Sequence, residues 1–420
     1  STVSTGSPAA ANRAGRRSAN IKRPALPPKD APFRQKRFKF LWHIRGTPTG
    51  SCKMLPINMA RENLVYRSFA AFQRIDGDKL RHKFRITYDG EVGIDSGGLT
   101  KDWFLEIANK LVDPRYALFR KVDSSAGPAT RFDIDPRSGV NEQHLKYFRF
   151  FGRLLSKAVY DRHLIDVNFS DIFFKRLLPG FRPSLDLLEK SDPEYYASLR
   201  WLLDHDGADE DFSALDLTFS IYRPDVAGVG QEEVALVPGG ASMAVTAQNR
   251  CQYVDRLVAW YCREEIAPQV EALCEGFHEL MPSDKVGVFT SEELALLIGG
   301  KATISVEELR NVTIFKGGYE PDSAPVRLFW EVLAGFDDEA RGKVLRFITG
   351  TTRIPLDGFD PCFQICRATA WGGEGADPEG ALPSAHTCFN QLVLPPYRSE
   401  GKLREKLLFA MEESPGFQMT

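Results

Sequence analysis

The chain has 420 residues, and at about 150 residues per domain this length predicts two or three folding units. Hydrophobic residues make up 43% and charged residues 26%, which excludes both a fully disordered chain and a bundle of membrane helices. The first 45 residues contain eleven Lys or Arg and one acidic residue, so the remainder has 43 basic and 55 acidic residues. Because an acidic body repels polyanions, we predict that it does not bind nucleic acid.

The cysteines and the apolar runs indicate the cellular compartment in which the protein folds. Seven cysteines, an odd number spread along the chain, are not the compact even framework of a secreted disulfide-rich domain. No apolar run reaches the roughly 18 residues of a membrane helix, and the basic start lacks the apolar stretch of a signal peptide. The sequence therefore predicts a cytoplasmic protein without membrane insertion. The basic cluster at 34–39 leaves nuclear access open, although such runs are more often solvated linker ends.

The first predicted element is a tail. Residues 1–37 are rich in Ser, Ala, Pro and Arg and have no hydrophobic periodicity, so we expect them to be flexible. Folded structure is predicted to begin at Phe38. Apolar residues at helical spacing then predict helices over 101–112 and 141–160, whose apolar faces would form the core of a mostly helical unit.

A smaller subdomain is predicted inside this first unit. A polar, Gly-rich stretch over 204–240 interrupts the helical pattern, and alternating residues at 215–219 predict a short strand. Helical spacing resumes over 248–280. We therefore interpret residues 38–298 as one unit with an inserted subdomain at about 190–280.

A hinge is predicted after the next helix, which spans 291–298. Gly299 and Gly300 follow it, and because glycine adopts backbone angles closed to other residues we place the hinge at 299–303. The alternative is that the two glycines only end the helix, in which case residues 316–319 are the next candidate hinge. The stretch is not a phosphate-binding loop, because Lys301 is followed by Ala302 instead of Ser or Thr.

The remaining residues, 304–420, predict a separate α/β unit. A capping box at 305–308 begins a helix, an apolar stripe at 326–333 predicts a second helix, and residues 403–411 predict a last one. An apolar segment at 391–394 ends at two prolines and suits a buried strand.

Cys388 is the best candidate for chemistry in this unit. It lies just before the strand at 391–394, so its sulfur is expected at a loop-to-strand junction where it can face solvent. His386 can favour the thiolate, which is the nucleophilic form of cysteine. The spacing alone is a weak signal, because a cysteine near a histidine is more often structural.

Two kinds of function are compatible with Cys388 and the residues around it. Cys362, Cys366, His386 and Cys388 could hold a structural zinc ion, although their spacing fits no common zinc ribbon or finger. A cysteine protease would also use the thiol, but no protease signature surrounds it. The zinc content of the purified protein tests the first of these alternatives.

Several long stretches of the sequence resemble one family, the HECT-type ubiquitin-protein ligases, and they follow the family order from about residue 80 to the end. The stretches are LPSAHTCFNQLVLPPY at 382–397, GEVGIDSGG at 90–98 with KDWF at 101–104, YFRFFGR at 147–153, EVALVPGG at 233–240, VTAQNRCQYV at 245–254, GGY at 317–319 with FW at 329–330, and FITGTTRIP at 347–355.

The resemblance implies an α+β fold with two lobes. The N-terminal lobe would be mostly helical with an inserted docking subdomain, and a hinge would connect it to an α/β C-terminal lobe. It also implies a ubiquitin-protein ligase that accepts ubiquitin from a ubiquitin-conjugating enzyme as a thioester on Cys388 and transfers it to a lysine of a protein substrate. Acyl transfer through a thiol needs no metal and no dissociable cofactor, so none is predicted.

The resemblance assigns further roles around Cys388. His386 would orient the thioester, and Thr387 with nearby backbone N–H groups would stabilise the oxyanion. Asp95 would accept the proton of the substrate lysine, whose ordinary pKa is near 10.4, although closing a turn or capping a helix is an equally good explanation. Phe417, the fourth residue from the end, matches a family phenylalanine on a tail required for lysine transfer; anchoring the last helix is the alternative.

The resemblance also implies a docking groove for the conjugating enzyme. Tyr195 with Leu199, and Tyr253 with Leu257, are spaced i, i+4 and match this groove, and Leu217 is a less secure addition. Helix spacing alone would make both pairs ordinary core stripes. The sequence departs from the family pattern at 247–248 and at 223–230, so it leaves the identity of the partner open.

Overall fold

The computed structural model describes residues 25–46, 53–90, 98–122, 130–205, 212, 214–224, 230–302, 305–367 and 380–413. Their buried apolar side chains form three separate clusters. Two clusters belong to residues 25–302, which we call the N-terminal lobe, and the third belongs to residues 305–413, the C-terminal lobe. The mixed helix and sheet composition confirms the predicted α+β class.

The main body of the N-terminal lobe is mostly helical, as predicted. Its helices are α1 (Phe33–Arg45), α2 (Leu64–Arg74), α3 (Gly77–Leu80), α4 (Gly98–Leu111), α5 (His144–Asp161) and α6 (Asp171–Leu177). Two small sheets accompany them, a parallel pair of β1 (Met54–Met59) with β2 (Lys83–Tyr88) and an antiparallel pair of β3 (Phe119–Val122) with β4 (Arg131–Ile134).

The predicted tail is shorter than expected, because α1 begins at Phe33 instead of after residue 37. The helix turns Phe40, Leu41 and Ile44 into the core, which offsets the cost of ordering a very polar segment. It also buries Lys36, whose Nζ bonds the carboxylate of Glu293 at 2.9 and 3.1 Å. Residues 1–24 of the predicted tail lie outside the described residues.

The inserted subdomain has its own core. It contains α7 (Asp186–Ser191), α8 (Pro193–Asp204), the antiparallel hairpin of β5 (Ser220–Pro224) and β6 (Gln231–Ala235), and α9 (Arg250–Ala259), which continues into a π-helical turn at Trp260–Glu264. The strand predicted at 215–219 lies a few residues later, at 220–224.

The predicted end of the subdomain, near residue 280, is too late. Helix α10 (Ala267–His278) packs along α5 in the main body, because glycines at the crossing let the two backbones touch. A Cβ on Gly152 would lie 2.0 Å from the Leu273 carbonyl oxygen, and one on Gly276 equally close to that of Arg149. The subdomain therefore ends before α10.

One buried ion pair fixes the base of the subdomain. Arg176 of α6 donates from Nη1 to Asp133 Oδ1 of β4 at 2.7 Å and from Nε to the Cys262 carbonyl at 2.9 Å. Both charged side chains are almost fully buried. The guanidinium thus connects the main body to the π-helical turn at the end of the subdomain.

The main body ends with α11 (Ser283–Val286) and α12 (Ser291–Gly299), and α12 leads toward the predicted hinge. Thr290 and Glu293 form a full capping box at the start of α12. No helix in the described parts of the chain has the length and apolar character needed to cross a membrane.

The C-terminal lobe is a four-stranded sheet covered by helices. The strands are β7 (Ile314–Lys316), β8 (Gln364–Arg367), β9 (Ser384–His386) and β10 (Gln391–Leu394), in the order β7-β8-β10-β9. The first three in this order are parallel, and the edge strand β9 is antiparallel to β10. The helices are α13 (Val306–Asn311), α14 (Ala324–Ala334), α15 (Asp338–Thr349) and α16 (Glu400–Glu412).

Candidate functional site

Cys388 lies on a turn held at both ends by the sheet. Strand β9 ends at His386, a single 3-10 turn spans Thr387–Phe389, and β10 begins at Gln391, which pairs with His386. The side chain of Cys388 is exposed on this turn. The sheet therefore fixes the backbone while the thiol faces outward, as the sequence predicts.

Asn390 closes the turn. Its backbone is left-handed, with φ of 48°, a conformation that asparagine tolerates better than most residues. Its N–H donates to the Thr387 carbonyl at 3.2 Å, and its side chain, buried within the lobe, donates from Nδ2 to the Pro361 carbonyl at 2.7 Å. Sequence reasoning missed Asn390, although an asparagine directly after a short turn is a recognisable signal.

His386 and Thr387 flank the thiol but are not bonded to it. Both side chains are exposed, and the structure shows no hydrogen bond between the His386 ring and Cys388 Sγ, both of which it describes. Thr387 packs beside Gly350, where an added Cβ would lie 3.8 Å from that of Thr387. Their roles in orienting the thioester and stabilising the oxyanion remain predictions.

The N-terminal lobe touches the turn through the first residue of α4. A Cβ added to Gly98 would lie 2.8 Å from both Cβ and Sγ of Cys388. The two lobes come so close here that there is no room for a side chain, so this position requires glycine.

Lys101, one turn further along α4, reaches into the C-terminal lobe. Its Nζ donates to the Thr349 carbonyl and to Asn390 Oδ1, each at 2.8 Å. Burial lowers the pKa of Lys101 to about 8, and negative charge on Cys388 and Asp102 opposes that shift. The sequence analysis did not identify Lys101, because its partners are some 250 to 290 residues away along the chain.

A cleft of about 810 Å³ lies beside this contact. Lys101 of the N-terminal lobe and Cys388 and Asn390 of the C-terminal lobe all line it. The thiol therefore faces a space shared by both lobes.

Asp166 makes a second contact between the lobes. Its carboxylate accepts hydrogen bonds from the Thr352 N–H and Oγ1, both at 2.7 Å, and from Thr351 Oγ1 at 3.3 Å. Arg353 lies 3.5 Å away as an ion-pair partner and also bonds Asn168. Thr351, Thr352 and Arg353 belong to the stretch at 347–355 that carries part of the family resemblance.

The predicted hinge is paired with the C-terminal lobe. Lys301 exchanges two backbone hydrogen bonds with Ile354, at 2.9 and 3.0 Å. Gly300 has φ of +75°, and its N–H also bonds the Leu296 carbonyl as a helix cap. The capping role thus exists, and the hinge role remains a prediction. Residue 303 of the predicted hinge lies outside the described residues.

Replacing Gly300 by alanine should destabilise the protein by about 1–2 kcal/mol, because the left-handed conformation is unfavourable for residues with a Cβ. The new Cβ would also lie 2.7 Å from the Ile354 carbonyl oxygen. Urea unfolding measures this change. Gly401→Ala is the matched control, since nothing lies within 4 Å of its Cβ position in α16. Equal stability of the Gly300→Ala variant and the wild type would contradict the prediction.

The predicted docking residues are mostly interior. Leu199 is 2%, Tyr253 5% and Leu257 4% exposed, and all three pack in the core of the subdomain. In this structure the core-stripe alternative describes these three side chains, and their docking role stays a prediction. Tyr195 and Leu217 are only partly buried, and their docking role stays a prediction.

Exposed apolar residues of the same subdomain were missed. Trp201 is 50%, Leu215 38%, Tyr222 67% and Met243 42% exposed. Helical periodicity cannot find Trp201, because it identifies only the buried face of a helix. The other three residues lie outside the helices, where this periodicity gives no signal.

The two remaining predicted residues, Asp95 and Phe417, lie outside the described residues. In the described part of the chain, no three His, Cys, Asp or Glu side chains converge so as to hold a metal ion. Cys362, Cys366, His386 and Cys388, the residues of the zinc alternative, are all in that part.

Comparison with known proteins agrees with this geometry. A family model described as HECT-domain (ubiquitin-transferase) matches residues 105–420. The chain is 36% identical to the E3 ubiquitin-protein ligase pub1 of Schizosaccharomyces pombe over 386 residues, which cover 92% of this chain and 48% of that protein. It is 35% identical to the E3 ubiquitin-protein ligase RSP5 of Chaetomium thermophilum over 369 residues, which cover 88% of this chain and 43% of that protein.

The chain thus spans just under half the length of these curated relatives. The family model covers 316 of its 420 residues, those from 105 to 420. The chain therefore belongs to the HECT family of ubiquitin-transferases.

Proposed function

We propose that this chain is the catalytic part of a ubiquitin-protein ligase, in which Cys388 carries ubiquitin as a thioester. The observation that supports this most is the exposed thiol on a turn pinned by β9 and β10 and facing a cleft between two lobes. Such a thiol is accessible to a protein-sized acyl donor, yet its backbone has little freedom to lose on reaction.

The first step is a thioester exchange. The Cys388 thiol loses its proton, and the thiolate attacks the carbonyl carbon that links ubiquitin to the cysteine of the conjugating enzyme. The tetrahedral intermediate then expels the conjugating-enzyme thiolate, which takes up a proton. One thioester is formed and one is broken, so the step needs neither an oxidant nor an external energy source.

The second step is attack by a substrate lysine on the new thioester. The lysine must first lose a proton, because an ammonium group with a pKa near 10.4 is not a nucleophile at neutral pH. An amide forms and Cys388 is released as a thiol. We propose that Asp95 accepts the lysine proton and that Phe417 supports this step, both on the strength of the family resemblance.

The inserted subdomain is proposed to bind the conjugating enzyme. Tyr195 and Leu217 remain candidates, and we add Trp201 because its indole is half exposed on α8 and stacks on His205, with ring centres 4.7 Å apart. Exposed tryptophans are frequent anchors of protein interfaces.

Replacing Trp201 by alanine should weaken loading of Cys388 without unfolding the protein. Interface anchors of this kind typically contribute 2 kcal/mol or more, so about 30-fold more conjugating enzyme should be needed for half-maximal loading. The measurement is the ubiquitin adduct formed at increasing concentrations of charged conjugating enzyme.

The control is Tyr253→Ala in the core of the same subdomain, which should lower the melting temperature, because truncating a buried aromatic side chain costs about 3–5 kcal/mol. Unchanged loading of the Trp201→Ala variant would refute the docking role of Trp201.

The function is tested by incubating the protein with a panel of charged conjugating enzymes. A HECT-type ligase acquires ubiquitin as an adduct that a thiol reductant removes. A cysteine protease would not, and failure with every member of the panel would count against the proposal.

A further inference from the structure

Lys101 occupies an unusual position for a lysine of the N-terminal lobe. Its ammonium group is surrounded by acceptors of the C-terminal lobe, the Thr349 carbonyl and Asn390 Oδ1, both at 2.8 Å. Thr349 is the last residue of α15, and the carbonyl end of a helix carries partial negative charge. Asn390 is the residue that closes the turn bearing Cys388. The lysine therefore contacts the catalytic turn only while the two lobes are together.

Electrostatic coupling joins Lys101 to Cys388. Negative charge on Cys388 favours the charged form of Lys101. Burial acts in the opposite direction and brings the pKa of Lys101 to about 8. The lysine is thus mostly charged at neutral pH and loses its charge as the pH rises through about 8.

The other charges around the same cleft nearly balance. Apart from Lys101, three acidic and three basic residues line the cleft among the described residues, together with one histidine. The acidic residues are Asp161, Asp357 and Asp360, the basic ones are Arg37, Lys83 and Arg162, and the histidine is His163. Arg37 is paired with Asp357, and Asp161 with Lys157. Asp102, beside Lys101 on α4, stabilises the ammonium.

We propose that Lys101 is a positioning residue that makes the reactivity of Cys388 depend on contact between the lobes. Its ammonium holds Asn390, and through it the turn, and it stabilises the thiolate from across the interface. When the lobes separate, the turn keeps its backbone in the sheet but loses this charge. The inference rests on the proposed role of Cys388 as the nucleophile.

The test measures the rate at which iodoacetamide alkylates Cys388 in the full chain, from about pH 5.5 to about pH 10, with the modified peptide quantified by mass spectrometry. In Lys101→Met the midpoint of the pH profile should move upward by roughly half to one pKa unit. This corresponds to an alkylation rate at pH 7 that is about three- to tenfold lower. At the highest pH the two rates should converge, because the thiol is then ionised in both proteins.

Lys101→Arg should keep the wild-type midpoint, since guanidinium stays charged over the whole range. Lys110→Met, on the same helix but paired with Glu106, is the matched control and should leave the profile unchanged. A role in packing alone would change the melting temperature of Lys101→Met without moving the midpoint, and coinciding profiles of this variant and the wild type would overturn the inference.

Gly98→Ala provides an independent arm of the test. Its Cβ would occupy the space of Cys388 Sγ, so the lobes should be forced apart while Lys101 remains in place. Its midpoint should rise at least as far as that of Lys101→Met, and combining the two changes should add nothing further. Full additivity of the two shifts would show that Lys101 acts without the interface and would contradict the proposal.

Alkylation does not involve ubiquitin, so the two proposals fail separately. A ubiquitin adduct that persists in Cys388→Ala refutes the role of Cys388. Loss of that adduct together with identical alkylation profiles of wild type and Lys101→Met refutes only the inference about Lys101.

Discussion

Replacing Cys388 by alanine should abolish the reductant-sensitive ubiquitin adduct completely. The thiol is the proposed acyl carrier, and no other side chain can substitute for it in that position. The fold should survive, because the side chain is exposed and contributes little packing. Gel electrophoresis with and without reductant measures the adduct, and a melting curve measures the fold.

The matched control is Cys362→Ala. This cysteine is also exposed and belongs to the same lobe, so its loss should leave the adduct in place. A reducible adduct on the Cys388→Ala variant would refute the assignment of the nucleophile.

Replacing Asp133 by alanine should lower the free energy of unfolding by about 3–5 kcal/mol. The change leaves Arg176 charged and almost fully buried without its carboxylate partner, which is the costly way to break a buried ion pair. Urea unfolding measures the lost stability. We expect the inserted subdomain to be destabilised as well, because Arg176 also donates a hydrogen bond to the Cys262 carbonyl at its base.

Two controls separate the effect of burial from that of charge. Glu339→Ala breaks the exposed pair with Lys343 and should cost less than about 1 kcal/mol. Replacing Asp133 and Arg176 together by leucine and methionine should recover much of the loss, since no buried charge then remains. A single Asp133→Ala variant as stable as the wild type would contradict the prediction.

The sequence predicts the helices of both lobes well where the buried face is wide. The apolar stripes of α4 and α5 are visible because each buries many aromatic and aliphatic side chains at helical spacing. Helix α1 was missed because only Phe40, Leu41 and Ile44 turn inward, and the basic residues around them hide that pattern. The stability of α1 comes from contacts with residues distant in the sequence, and a short stretch of sequence does not show them.

The candidate site was predictable only in part. The exposed position of Cys388 follows from a local pattern, a turn before an apolar strand. Lys101 and Asp166 act through partners in the other lobe, and no periodicity links residues so far apart. The burial of Tyr253 and Leu257 was not predictable either, because the same i, i+4 spacing suits a groove and a core equally well.

The glycine crossing of α5 and α10 limits how the inserted subdomain can move on the main body. The inserted subdomain leaves the main body after α6 and returns just before α10, so both of its connections lie close to a helix pair in contact at Gly152 and Gly276. Helices in backbone contact cannot slide past each other without a clash. The subdomain thus rests on a fixed base, and its movement relative to the main body is limited to rotation about its two chain connections.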